Sequence, residues 1–199
     1  RSNYNHNVFS DWLLSGNFNN NNAHRDIQFS GQNLSTKADY DGYLVAAKFT
    51  QGINCDFWES YRFVPTAFLQ YVFLHQNSYN ESGSVAALHV DAINKNILTL
   101  GLGARFNFPM DAWQLIGMRE LRAAATYDVV NGNDVSTANF VVGSDSFTVV
   151  STPARFGMLL GASITFEFMQ HLQVELDYDF TFGEKFTDHT GVLKLKYVF

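Results

Sequence analysis

Residues 172–182, LQVELDYDFTF, place Leu172, Val174, Leu176, Tyr178, Phe180 and Phe182 at every second position, with Gln173, Glu175, Asp177, Asp179 and Thr181 between them. A period of two is that of a β-strand, whose successive side chains point to opposite faces. Such a segment rests only in a sheet that gives its two faces different surroundings, and no other feature of the chain narrows the choice of fold as much. The same pattern recurs at 154–168, with Phe156, Met158, Leu160, Ala162, Ile164, Phe166 and Phe168 against Arg155, Gly157, Gly161, Ser163, Thr165 and Glu167. At 97–108, Leu98, Leu100, Leu102, Ala104, Phe106 and Phe108 oppose Thr99, Gly101, Gly103, Arg105 and Asn107. At 121–129, Leu121, Ala123, Ala125, Tyr127 and Val129 oppose Arg122, Ala124, Thr126 and Asp128. The end of the chain, 189–199, sets Leu193, Leu195, Tyr197 and Phe199 against Val192, Lys194, Lys196 and Val198. Weaker alternation marks 8–18, 25–34, 40–50 and 61–75, which brings the expected strands to nine.

The joins decide how these strands meet. Only Met169, Gln170 and His171 separate 154–168 from 172–182, a connection that forces an antiparallel hairpin. GEKFTD at 183–188 is somewhat longer, whereas 76–94 and the Ser/Asn/Gly-rich 130–152 are long. The long loops are expected on one rim. Short turns, among them NFPMDAW at 107–113 and FNNNNAH at 18–24, are expected on the other.

An alternating strand suits a soluble sandwich as well as a membrane barrel, so composition arbitrates. In 199 residues, 46% are hydrophobic, 16% aromatic and only 16% charged, with 19 Phe, 9 Tyr and 3 Pro. Soluble domains carry roughly 25% charge, and an apolar, aromatic-rich outer face is what a barrel wall in lipid needs. The mean hydropathy is −0.11, and no run approaches the ~18 apolar residues of a transmembrane helix, so any crossing is by strands. The fold class is therefore all-β, an antiparallel transmembrane β-barrel of the outer-membrane type. Aromatics near strand ends (Phe106, Phe108, Trp113; Tyr178, Phe180, Phe182; Tyr197, Phe199) fit interfacial girdles. Glycines on the polar faces, Gly101, Gly103, Gly157 and Gly161, leave room for bulky side chains or permit bending.

Catalytic chemistry finds little footing here. A net charge of −6 without a Lys/Arg cluster excludes a nucleic-acid partner. Cys55 is the single cysteine, so there is no intrachain disulfide and no Cys-based zinc site, and it reads as a small semi-buried residue. His6, His24, His75, His89, His171 and His189 are scattered and form no metal-ligand spacing. Asp188-His189 invites an acid–base reading, yet no motif ties a serine nucleophile to it. No cofactor, metal or catalytic residue is expected. The mixed charges Arg105, Arg122, Arg155, Glu167, Glu175, Asp177, Asp179, Lys194 and Lys196 read as a wetted pore lining.

YDFTFGEKFTDHTGVLKLKYVF at 178–199 closely resembles the end of the autotransporter β-domain, the translocator of type V secretion, in its last hairpin and its final alternating strand closing on Phe. The resemblance extends through RFVPTAFLQYVFLHQNSYNESG at 62–83 and ILTLGLGARFNF at 97–108, and more loosely through ADYDGYLVAAKFTQG at 38–52. It implies a non-enzymatic barrel in the bacterial outer membrane that exports or displays an N-terminal passenger, in contact with outer-membrane lipid and lipopolysaccharide. It also implies that Leu193, Leu195, Tyr197 and Phe199 form the β-signal read by the barrel-assembly machinery. An outer-membrane adhesin or porin-like barrel whose long loops bind a partner is the alternative.

Family members form twelve-stranded barrels threaded by an α-helix. Nine expected strands and no helix before residue 8 place the first three strands and the pore helix outside residues 1–199. Unpaired peptide groups in hydrocarbon cost several kcal/mol each, so the edges at 8–18 and 189–199 must be covered. Either the absent strands cover them, or the last strand is paired with a strand of the assembly machinery.

Overall fold

The computed structural model describes the whole chain except residues 1, 4–6, 30, 58–60, 113–114, 133, 144, 169–170 and 198–199. Its elements are β1 (Ser2–Asn3), β2 (Val8–Phe29), β3 (Gln32–Ile53), β4 (Cys55–Phe57), β5 (Tyr61–Gln76), β6 (Tyr79–Asn80), β7 (Leu88–Val90), β8 (Ile93–Ala112), β9 (Leu115–Asn131), β10 (Asp134–Phe140), β11 (Ser146–Ser151), β12 (Phe156–Phe168), β13 (Leu172–Gly183) and β14 (Thr187–Tyr197). One antiparallel sheet runs β1-β2-β3-β5-β8-β9-β12-β13-β14, with β4 beside β5. β14 pairs with β13, and the opposite edge, β2, has β1 against Phe9 and Ser10.

Among the described residues the wall has eight long strands, not nine. FNNNNAH is not a turn: residues 18–24 are the middle of β2, paired one to one with Lys37–Tyr43 of β3. Asparagine is depleted in strands and favoured in turns, but here it has ladder partners. Asn20 Nδ2 donates to Asp41 Oδ1 (2.8 Å) and Asn22 Nδ2 to Asp39 Oδ1 (2.7 Å). The expected strand 25–34 straddles the real turn, where Gly31 adopts φ 80°, a left-handed conformation that glycine tolerates without strain.

The apolar faces read from the alternation are the exposed ones. Leu102, Leu195 and Trp12 are 70%, 67% and 72% exposed, and among the described residues no second sheet packs against them. Along β13 the apolar outer row runs from Leu172 to Phe182, about the 9–11 residues with which a tilted strand spans a bilayer. Rings gather at its two ends. Tyr61, Phe106 and Phe108 adjoin at one end; at the other, Tyr43 meets Phe73, and Phe180 meets Phe182. Trp113 and Phe199 lie outside the described residues.

The sheet is strongly curled. A single cavity of about 350 Å³ is lined by Asp11 of β2 and Asp179 of β13 together. Five strands separate those two, which in a flat sheet with ~4.8 Å spacing would put them ~29 Å apart. The side of Asp11 and Asp179 is thus the concave, inner one.

Beyond the apolar belt the wall continues. The regions 76–94 and 130–152 are not plain loops; they fold as β6, β7, β10 and β11 into a four-stranded sheet, order β11-β10-β7-β6, above the main one. It joins β3: Asn77 N–H donates to Asp41 O, and Lys37 and Ser82 exchange two bonds, all at 2.9 Å. Four residues lead from Lys37 to Asp41, but five lead from Asn77 to Ser82, so one extra residue enters the second strand. An extra residue turns the following side chains over. Tyr79 therefore stacks on the inner ring of Tyr40, with centroids 4.5 Å apart. Leu88, Val90 and Ala138 share this side and form, with Tyr79, the one buried apolar cluster among the described residues.

Candidate functional site

Consecutive strands with the same parity bring their polar side chains into one inner surface. Across the wall, Arg122 of β9, Gly161 of β12 and Asp179 of β13 are register partners. Arg122 Nε donates to Asp179 Oδ1 at 2.8 Å, a second guanidinium nitrogen pairs with Asp177, and a third lies 3.4 Å from Glu120 Oε1. On the far side Lys194 Nζ of β14 reaches Glu175 Oε1 at 2.9 Å and Asp177 Oδ2 at 3.6 Å. Four carboxylates thus share two cations across β9, β13 and β14. Arg122 and Asp177 are only 17% and 15% exposed, so removal of either would leave the other's charge poorly solvated and uncompensated.

Gly161 makes the crossing possible. A Cβ at this position would sit on Asp179 Oδ1 and only 2.5 Å from Arg122 Nε, so any side chain would block the arm that spans β12. Gly101 has the same relation to a ring: Phe68 of β5 lies over it, with Cε2 2.6 Å from a would-be Cβ. Lys48 Nζ stands 4.1 Å above that ring, a cation–π contact. The reading of these polar-face glycines as room for bulky neighbours describes both sites.

Arg105 pairs in register with Arg122, and its guanidinium lies 5.8 Å from the Phe9 ring centre. Repulsion between the two arginines is offset by the carboxylates that hold Arg122 toward β13. Both arginines border the 350 Å³ cavity and a second, of about 500 Å³, lined also by Glu120, Glu175, Asp177 and Lys194. An inner surface with charges of both signs and open volume suits a hydrated polar occupant better than an apolar ligand.

Of the nine charged residues singled out in the sequence, the fold brings together Arg122, Glu175, Asp177, Asp179 and Lys194, with Arg105 beside them. Lys196 faces Gln173 one step down the β13–β14 ladder, and Glu167 lies exposed on β12 opposite the same Gln173. Arg155 is exposed just before β12, and its carbonyl accepts from Asp128 N–H (2.8 Å). Leu193, Leu195 and Tyr197 are exposed on the outer face of β14; Phe199 falls outside the described residues. Asp188 and His189 sit on opposite faces of β14. Asp188 accepts from Thr190 Oγ1, whereas His189 faces Tyr178 Oη at 2.7 Å, so they form no acid–base pair.

Sequence reading missed Glu120, Asp11 and Lys48, which extend the inner surface. Glu120 continues the 121–129 parity by one step, a signal that was present. It also missed a clasp in the upper wall. Arg25 of β2 donates to both oxygens of Glu81 and to Ala86 O (2.9 Å), while Leu88 N–H donates to Glu81 Oε2 (3.0 Å). Fifty-six residues separate that pair, and no local pattern announces it.

An antiparallel curled sheet, apolar outside and ionic inside, is the wall of a transmembrane β-barrel. The chain belongs to the autotransporter β-domain family, whose model matches residues 2–179. Among solved structures it is similar to the translocator domain of autotransporter NalP from Neisseria meningitidis, with 18% identity and a TM-score of 0.65 over 94% of this chain. The match spans 60% of the NalP chain, and at that identity it speaks for the fold alone. Comparison with curated proteins gives no match.

Proposed function

We propose that residues 1–199 form the greater part of a translocator barrel that anchors in the bacterial outer membrane and exports or displays an N-terminal passenger. The observation that carries this reading is the pairing of family membership with an exposed apolar belt around a polar concave face. Arg105, Arg122, Arg155, Glu167, Glu175, Asp177, Asp179, Lys194 and Lys196 then line or border the passage, and the protein acts by conduction of a polypeptide, without enzyme chemistry or cofactor. The belt takes lipid and, in the outer leaflet, lipopolysaccharide. Strands and a pore helix from outside residues 1–199 complete the barrel at the β2 and β14 edges.

β14 fits the role of the strand read by the barrel-assembly machinery, through Leu193, Leu195, Tyr197 and Phe199. During assembly its free edge accepts a strand of that machinery by edge addition. Cysteines at Lys194 or Lys196 are expected to crosslink to the first strand of the assembly protein in an arrested intermediate.

The decisive experiment uses the full-length protein with an epitope in the passenger, produced in Gram-negative cells. Protease added to intact cells is expected to remove the epitope, and deletion of residues 172–199 to abolish its exposure. A passenger that stays protected in intact cells while the barrel is inserted would refute export.

A further inference from the structure

The inner face of this wall changes chemistry with height. Within the belt it carries Arg122, Asp177, Asp179, Glu175 and Lys48; above the one-residue offset at Asn77–Ser82 it carries Tyr40, Tyr79, Leu88, Val90 and Ala138. On β2 and β3 the outer face changes the opposite way, from Trp12, Phe18, Tyr43 and Val45 to Asn20, Asn22, Asp39 and Asp41, while on β10 and β11 it keeps Val135 and Val150. An extension standing in water needs a polar outside, which explains the second change. Its apolar inside is only partly used by its own cluster. Phe147 pairs in register with Ala138 and so faces inward, yet is 42% exposed, and Val149, two residues on along the same face, is 58% exposed. Arg25 and Glu81, set into the inner side here, neutralise each other.

We propose that this apolar lining, centred on Phe147 and Val149, is a contact surface for apolar side chains of the exported polypeptide as it leaves the barrel. The inference rests on the translocator reading. What selects this occupant is continuity: the lining is the upward continuation of the same inner face, on the same hairpins, that surrounds the polar passage. A chain that has crossed the ionic zone meets the lining next, and burial of apolar area there holds it against sliding back. The surface is generic in chemistry, with aliphatic and aromatic groups at its centre, as recognition of an unfolded segment of any sequence requires.

The test uses the full-length protein with its passenger stalled in transit by a fused, tightly folded domain. A photo-crosslinking residue is placed at Val149 on the inner side of β11, at Thr148 on its outer side, and at Thr50 beside the lower cavity. The expected result is passenger crosslinks from Val149 and Thr50 and none from Thr148. Crosslinks from Thr50 without Val149, from Thr148 as strongly as from Val149, or from Val149 to a second copy of this chain overturn the proposal and leave the translocator reading standing. No crosslink from any position, with the passenger still inside the cell, overturns that reading as well. In parallel, Val149→Thr, a change at an exposed position that keeps the side-chain shape, combined with Phe147→Ser, is expected to slow surface appearance of the passenger by about fivefold. Thr148→Val is expected to leave it unchanged. Equal rates for the Val149→Thr/Phe147→Ser double variant and the parent protein, with insertion verified by heat-modifiable mobility, overturn the lining as a working surface.

Discussion

The wall within the apolar belt and the wall above it are built by the same hairpins but face opposite ways. Leu176 and Asp177 are neighbours on β13; the first points out and is exposed, and the second points in and holds Arg122 and Lys194. On the upper hairpins Leu88 points in and is buried, whereas His89 points out toward Asn80 and Asp91. The difference shows that sidedness is not a property of a strand. It is set by the medium at each height, and a single inserted residue lets one strand serve both.

Substitutions can break this contrast. Leu88→Asp puts an uncompensated charge into the small core with Val90 and Ala138, and should destabilise the upper sheet by about 3–5 kcal/mol. Hydrogen exchange at residues 79–90 measures it; unchanged protection would show that the core holds nothing together. Next in size is Leu176→Arg, expected to cost about 2–4 kcal/mol in unfolding from lipid vesicles, against less than about 1 kcal/mol for Gln173→Arg on the inner face. Thr148→Arg shares the outward direction of Leu176 but stands above the belt, and should stay within about 0.5 kcal/mol of the parent protein. Equal costs for Leu176→Arg and Thr148→Arg would remove the boundary. From alternation alone, Asp177→Arg also looks harmless; the ion pairs to Arg122 and Lys194 make it a poor control, since it would bring a third cation between them.

Gly161→Ala sharpens the inner half of the comparison. The added methyl occupies the path of Arg122 and should cost about 1–3 kcal/mol by overpacking. Combined with Arg122→Gln the loss should not add, because the larger side chain is then gone; full additivity in a double-mutant cycle would mean that Gly161 serves some other end. The smallest effect concerns Tyr79 of the upper sheet. Burial, then the neighbouring Tyr40 and Glu81, raise its pKa above the ordinary 10.0, and Arg25 works the other way. A phenol whose folded pKa is raised keeps its stabilising contribution below pH 10 and loses it as pH rises through the folded value. In ultraviolet titration, Tyr79→Phe should remove a phenol step that lies above pH 10 in the parent protein.

The sequence by itself fixed the class of sheet. Period-two alternation in 97–108, 121–129, 154–168 and 172–182 set which side chains face out, because strand geometry leaves no other choice. It also foretold the polar-face glycines beside large neighbours. Alternation failed at 18–24, where asparagines offered no apolar contrast and their Asp partners were 21 and 17 residues away on β3; Gly31, with its left-handed φ, marked the true turn. Tertiary structure alone decided three matters. It curled the sheet so that Asp11 and Asp179 share a cavity, joined Arg25 to Glu81 across fifty-six residues, and inserted the residue between Asn77 and Ser82 that reverses the faces. The reason is common to all three. Alternation is local and records only which neighbours differ, whereas height above the membrane, closure and pairing offset are relations between strands, and no single segment carries them.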